Sequence, residues 1–62
     1  MPNTRYAYQI VSPDQIDTAV EETYGDGTLI RIEIAGHAHH LALDAAAALY
    51  DEIDARLRQA GA

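Results

Sequence analysis

The stretch that most constrains the fold is TLIRIEIA, residues 28–35. Three isoleucines occupy every second position, with Leu29, Arg31 and Glu33 between them. Successive side chains of a β-strand point to opposite faces of a sheet, so this alternation is typical of a strand with one apolar side. The pattern predicts a central β-strand over residues 28–35 whose isoleucines face a core.

A β-hairpin is predicted directly after this strand. Gly36 suits the first position of a two-residue type II′ turn, with His37 as the second position. Residues 39–43 would then form the return strand, with Leu41 opposite Ile32 on the core face.

The three histidines of GHAHH raise the question of a metal site. In the predicted register His37 lies at the loop tip, His39 at the rim of the apolar face, and His40 on the outer face opposite Glu33. Zinc ligands must converge on one point at about 2 Å each. These rings diverge, so we predict no metal ligands and no cofactor.

Two elements are predicted before the central strand. Residues 6–11 alternate and predict a strand. The tetrapeptide SPDQ, residues 12–15, offers a capping hydroxyl, a proline at the first helical position and a glutamine three residues after the serine, which indicates a helix start. The alternative is a strand over residues 18–24, which their β-branched side chains favour. We predict the helix, ending at Gly25, because a strand would put Val20 and Glu22 on the same face.

The C-terminal third predicts a second helix. It would begin with Asp44 as its cap, run to Gln59 or Ala60, and end at Gly61. Its acids and bases form pairs at the four-residue spacing that stabilises helices: Glu52 with Arg56, and Asp54 with Arg58. Its apolar stripe is expected to be buried and consists of Ala46, Leu49, Tyr50, Ile53 and Leu57.

Together these elements predict one small α/β (α+β) domain over residues 1–62. The order β-α-β-β-α would give a two-layer sandwich, a three-stranded sheet with both helices on one face. A chain of 62 residues without cysteine has a small core and no disulfide to support it.

Composition narrows the classes of function. Ten acids against four arginines give a net charge of −6, which opposes direct binding to nucleic acid or to an anionic membrane surface. The first residues lack the pattern of a signal peptide or a membrane span, so the cytoplasm is the expected location.

No catalytic set is recognisable in the sequence. Ser12 is the one serine, and it is expected to cap a helix. Adjacent acids on a helix point about 100° apart and do not form a carboxylate pair. We therefore predict that the chain is not an enzyme.

The acids are the predicted binding residues. On the first predicted helix, side chains three and four residues apart stand about 5–6 Å from each other, a row that approximates nucleic-acid phosphates. This row predicts a non-catalytic inhibitor that occupies the nucleic-acid-binding surface of a basic partner protein. Short acidic anti-restriction and anti-CRISPR inhibitors of phages and mobile elements share this profile. The predicted contact residues are Asp14, Asp17, Glu21, Glu22 and Asp26, with Asp51, Glu52 and Asp54 as a second patch.

Two alternatives remain open. The acids could be only the solvated faces of amphipathic helices. The chain could instead be a homodimeric structural or scaffolding module that associates along an open strand edge or through an outer sheet face rich in small or apolar residues: Leu29, Arg31, Glu33, Ala35, Ala38, His40 and Ala42.

Overall fold

The computed structural model describes residues 7–62, and within them the fold is one antiparallel sheet followed by one helix. Strands β1 (Ile16–Thr23), β2 (Gly27–Ile34) and β3 (His37–Ala42) follow one another along the chain. Strand β2 lies between its two neighbours. Helix α1 (Leu43–Gln59) begins at the residue after β3. The order in the described residues is therefore β-β-β-α.

The predicted order β-α-β-β-α and the two-layer sandwich with two helices are wrong. Residues 16–23 form the edge strand β1 where a helix was expected. Residues 7–12 have no regular secondary structure, although a strand over residues 6–11 was predicted, and Tyr6 lies outside the described residues.

The capping signal at residues 12–15 produces only a 3-10 turn, Pro13–Gln15. The Ser12 N–H donates to Gln15 Oε1 at 3.0 Å, as a capping box requires, and the Gln15 N–H donates to the Ser12 carbonyl at 3.0 Å. These contacts fix one turn and do not decide the conformation of the residues after it. The backbone becomes extended at Ile16. The sequence SPDQ therefore does begin a helical turn, but the prediction continued the helix too far along the chain.

Pairing with β2 explains why residues 16–23 are extended. Ile16, Thr18 and Val20 lie opposite the three isoleucines of β2, Ile34, Ile32 and Ile30. β-Branched pairs across antiparallel strands stabilise a sheet. Glu22, on the same face, lies at the end of the strand, where its Oε1 accepts a hydrogen bond from the Thr28 hydroxyl at 2.9 Å.

The turn between β1 and β2 spans residues 24–26 and depends on two side-chain hydrogen bonds. Thr23 Oγ1 accepts from the Asp26 N–H at 3.0 Å and donates to the Gly27 carbonyl at 2.8 Å. Gly27 has a φ of 74°, a left-handed conformation typical of the residue that closes a three-residue hairpin loop.

The β2–β3 hairpin is confirmed, but its register differs from the prediction by two residues. The turn residues are Ala35 and Gly36, with φ values of 51° and 86°, which is the type I′ pattern of two positive values. His39 consequently lies opposite Ile32, and His40 lies opposite Arg31 and not Glu33. A shift of two residues keeps every side chain on its predicted face, because the side-chain period of a strand is two.

Ala35 has a positive φ, a backbone conformation that is strained for alanine and easier for asparagine. We expect Ala35→Asn to raise the free energy of unfolding by about 0.5–1 kcal/mol, because Asn-Gly is a preferred type I′ pair and alanine is disfavoured at positive φ. Urea denaturation at one fixed protein concentration measures the change. An equal or lower unfolding midpoint for Ala35→Asn would contradict the type I′ turn.

Helix α1 confirms the second predicted helix. It begins at Leu43, so Asp44 lies in the first turn, where its charge is favourable, and does not act as the cap. At the other end the N–H groups of Gly61 and Ala62 donate to the carbonyls of Arg58 and Leu57, and Gly61 has a φ of 83°. This is a Schellman ending.

Of the two predicted pairs on α1, one is formed. Asp54 Oδ2 and Arg58 lie 2.8 Å apart, whereas Glu52 and Arg56 form no ion pair within the described residues.

No residue among 7–62 is buried. Residues 28–33 of the central strand are half-buried, because strands flank them on both sides. The predicted helix stripe is not buried either: Tyr50 keeps 70% and Ile53 52% of their full exposure. The expected core is therefore absent from the described part of a single chain.

Candidate functional site

One face of the sheet is apolar over most of its area. The register places on it every second residue of each strand. Val20 remains 66% exposed and Ile16 50% exposed, and nothing in the described residues covers them. Glu22, Thr28 and His37 lie at the ends of this face. We call its central part the apolar sheet face: Ile16, Thr18 and Val20 of β1, Ile30, Ile32 and Ile34 of β2, and His39 and Leu41 of β3.

The second uncovered surface lies on α1. Its apolar residues recur at three- and four-residue steps and so share one side of the helix. Leu49 and Leu57 remain 39% and 50% exposed. We call this surface the helix stripe: Ala46, Leu49, Tyr50, Ile53 and Leu57.

The helix stripe does not cover the apolar sheet face of its own chain. The longest dimension is 52 Å. An eight-residue strand and the 17-residue α1 each measure about 26 Å, so their lengths placed end to end reach about this value. The radius of gyration, 15.2 Å, exceeds the roughly 10–11 Å of a compact chain of this length. This extended shape and the exposure of the helix stripe agree with a helix that does not fold back over the apolar sheet face.

The connection between β3 and α1 explains this extended arrangement. Strand β3 ends at Ala42 and α1 begins at Leu43, with no loop residue between them. A helix that folds back across the sheet it leaves normally needs a loop of about 2–6 residues. The short connection keeps the two apolar surfaces of one chain apart.

The outer face of the sheet carries a charge network among small and apolar residues. Arg31 Nη2 lies 2.5 Å from Oε1 of Glu33 on the same strand. Across the sheet, His40 Nε2 lies 2.7 Å from Glu21 Oε1. The hydrogen bond to Glu33 has the largest effect and raises the pKa of Arg31 above its usual value. Desolvation opposes it, and the charges of Glu33, Glu21 and Asp17 each raise the pKa by a smaller amount. The predicted pair of Glu33 with His40 is not formed, because the register shift brings His40 opposite Arg31.

The predicted acidic row of residues 14–26 is dispersed. Asp17 and Glu21 share the outer face of β1, but four residue steps along a strand place them about 13 Å apart and not at the 5–6 Å of a helix. Asp14 accepts a hydrogen bond from the Ser12 hydroxyl at 2.6 Å in the 3-10 turn. Glu22 lies on the apolar side, and Asp26 lies in the β1–β2 turn.

The acids of the second predicted patch do lie on one helix. Asp51 and Glu52 are exposed on α1, and Asp54 is half-buried and paired with Arg58.

The residues considered as metal ligands do not converge, and the hydroxyl of Ser12, the one candidate nucleophile, takes part in local hydrogen bonds. No group of three or more His, Asp or Glu residues in the described chain is placed to hold a metal ion. Residues 7–62 enclose no cavity. The Ser12 hydroxyl lies 2.6 Å from Asp14 and 3.1 Å from the side chain of Gln15.

The residues that sequence reasoning missed are those of β1. Ile16, Thr18 and Val20 belong to the apolar sheet face, whereas the prediction placed them on a helix. The β-branched alternation in IDTAVEET could have revealed them, since it places all three side chains on one side of a strand.

Comparisons with known proteins give no relative from which a function can be transferred. No family model, no curated protein and no solved structure matches the chain. In the described residues no helix has both the length and the apolar character needed to cross a membrane.

Proposed function

We propose that this chain is a non-catalytic protein-binding module that associates through the apolar sheet face and the helix stripe. The observation that supports this proposal is the absence of any buried residue among residues 7–62, although 48% of the sequence is hydrophobic. The two apolar surfaces are ordered, on regular elements, and open.

Energetics favour association over an isolated fold. Fixing the backbone of one residue costs about 1–2 kcal/mol, and burial of apolar surface returns roughly 25 cal/mol per Å². A sheet that is apolar on one face must bury that face against another element to form a stable fold. The described chain lacks that packing on its own, so a bound partner supplies the missing core.

The proposal predicts that stability depends on association. If the partner is a second copy or is purified with the chain, dilution should lower the thermal unfolding midpoint, because a bound partner stabilises only the folded state. At the lowest concentrations the cooperative transition should be lost. Circular dichroism over a dilution series, with sedimentation velocity at each concentration, measures both changes.

A compact monomer is the result that would contradict this proposal. Such a chain would unfold cooperatively at a midpoint independent of concentration, and it would sediment as a particle with a radius of gyration near the roughly 10–11 Å of a compact domain.

A second candidate function is binding of a basic protein through the acidic outer face. Asp17 lies directly opposite Glu33 on that face, an arrangement of like charges that destabilises a sheet. Glu21 adds a third carboxylate near the single base Arg31. A positively charged partner would relieve this repulsion, and a nucleic-acid-binding protein is the partner class that the net charge of −6 favours.

This second candidate predicts binding that is sensitive to charge and salt. Immobilised wild-type protein should retain a basic protein from a cell lysate at low salt and lose it at several hundred millimolar salt, because screening shortens to roughly 3 Å at 1 M. The double variant Asp17→Asn, Glu21→Gln should retain much less of it, since such charges govern association rates. Equal retention by both proteins would show that these acids are only a solvated surface.

A further inference from the structure

We propose that the partner on the apolar sheet face is a second copy of this chain, with the helix stripe of each protomer packed across the sheet of the other. This inference rests on the proposed function, because it names the occupant of the same two surfaces. A dimer formed through the outer face would be a different arrangement. It would bring Asp17, Glu21 and Glu33 of both copies together, with one Arg31 from each copy to balance their charges.

The surface area agrees with an obligate homodimer. The chain exposes 5162 Å², whereas a compact monomer of 6.8 kDa exposes about 4,000 Å². The excess is about 1,200 Å² per chain, or about 2,400 Å² for a pair, and the largely exposed residues 7–15 contribute part of it. It is of the size of the 2,000–5,000 Å² that obligate homodimers typically bury.

The two surfaces match in size and chemistry. From Ala46 to Leu57 the helix stripe is about 17 Å long. The sheet face is about 13 Å long from Ile16 to Val20 and about 10 Å wide across three strands. Within those limits the sheet face carries no Asp, Glu, Lys or Arg, so helix and sheet meet without opposing like charges.

Symmetry favours a second copy over an unrelated partner. Each chain offers one helix stripe and one sheet face, and a two-fold axis lets two chains satisfy both surfaces in a single closed contact. The direct passage from Ala42 into Leu43 prevents the helix from turning back over its own sheet. Short connections favour the exchange of an element between protomers, which is a low-cost route to a dimer.

Disulfide cross-linking tests this arrangement, because the chain contains no cysteine of its own. A Val20→Cys protein is unfolded, mixed with an unfolded Ile53→Cys protein, refolded and mildly oxidised. We expect a heterodisulfide between the two variants in high yield and, before oxidation, a mass twice 6.8 kDa by sedimentation equilibrium. The matched control replaces Val20→Cys by Ala19→Cys, whose side chain lies on the outer face of the same strand; it should give at least about tenfold less heterodisulfide, because a disulfide needs Cβ atoms within about 4.5 Å.

Each other outcome overturns the inference. A dimer in which Ala19→Cys cross-links better than Val20→Cys would place the contact on the outer face. A monomer without cooperative unfolding would show that the partner is a different protein, and the proposed function would then stand without this inference. A compact monomer that unfolds cooperatively would overturn both.

Discussion

Val20→Lys is expected to weaken self-association at least about a hundredfold, whereas Ala19→Lys leaves it nearly unchanged. Both side chains are exposed in the single chain, and they lie on opposite faces of β1. In the associated state Val20 is covered, and an unpaired charge buried there costs several kcal/mol, where about 1.4 kcal/mol corresponds to a factor of ten.

The two variants are matched controls for each other, because they place the same side chain on opposite faces of β1. Both add one positive charge to the same strand, so the net charge changes equally. Sedimentation equilibrium gives the two dissociation constants. Equal weakening by both variants, or weakening by Ala19→Lys alone, would show that the apolar sheet face is not the contact surface.

Insertion of a flexible loop of about five glycine and serine residues between Ala42 and Leu43 is expected to convert the dimer into a monomer. The inserted residues give α1 the length of connection that a helix needs to reverse over its own sheet. An intramolecular contact then competes with the intermolecular one at a high effective concentration. The measured mass should fall from twice 6.8 kDa to 6.8 kDa, with the helix content retained.

A matched insertion controls for the effect of added flexible residues. The same loop placed after Gly25, in the β1–β2 turn, lengthens a connection that does not limit α1. It should leave a dimer. If both insertions left the mass unchanged, the direct passage from β3 to α1 would not be the cause of helix exchange.

The parts of the fold that could be predicted are those with long, unambiguous patterns. The alternating isoleucines predicted the strand observed as Gly27–Ile34, and the apolar stripe of the last third predicted the helix observed as Leu43–Gln59. The faces of β3 were also predicted correctly, because an error of two residues in the register leaves side chains on the same face.

The helix predicted at residues 13–24 shows the limit of local signals. Ser12 and Gln15 form the hydrogen bond expected at a helix start, yet the turn ends after Gln15. The extended form of residues 16–23 is decided by pairing with β2, whose residues, such as Ile32 opposite Thr18, lie well beyond the reach of a helix cap. The acidic row was predicted from the geometry of that helix, so the strand observed at residues 16–23 does not form it.

The candidate site could be predicted only in part for a different reason. Apolar periodicity indicates which residues share one side of a helix or strand, as it does for Leu49 on α1 and Ile32 on β2. It does not indicate what covers that side. The covering depends on the connection at Ala42 and Leu43 and on a partner, and neither leaves a periodic pattern in the sequence.

The most direct test of the central claim is a nuclear Overhauser measurement on a dimer assembled from isotope-labelled and unlabelled chains. Filtered spectra report only contacts between different chains. The proposed arrangement predicts contacts from the methyl groups of Val20 and Ile32 in one chain to Tyr50 and Ile53 in the other, at the roughly 4.0–4.5 Å separations of packed side chains. The absence of these contacts in a mixed dimer, with the same pairs seen within single chains, would contradict the exchange of helices between protomers.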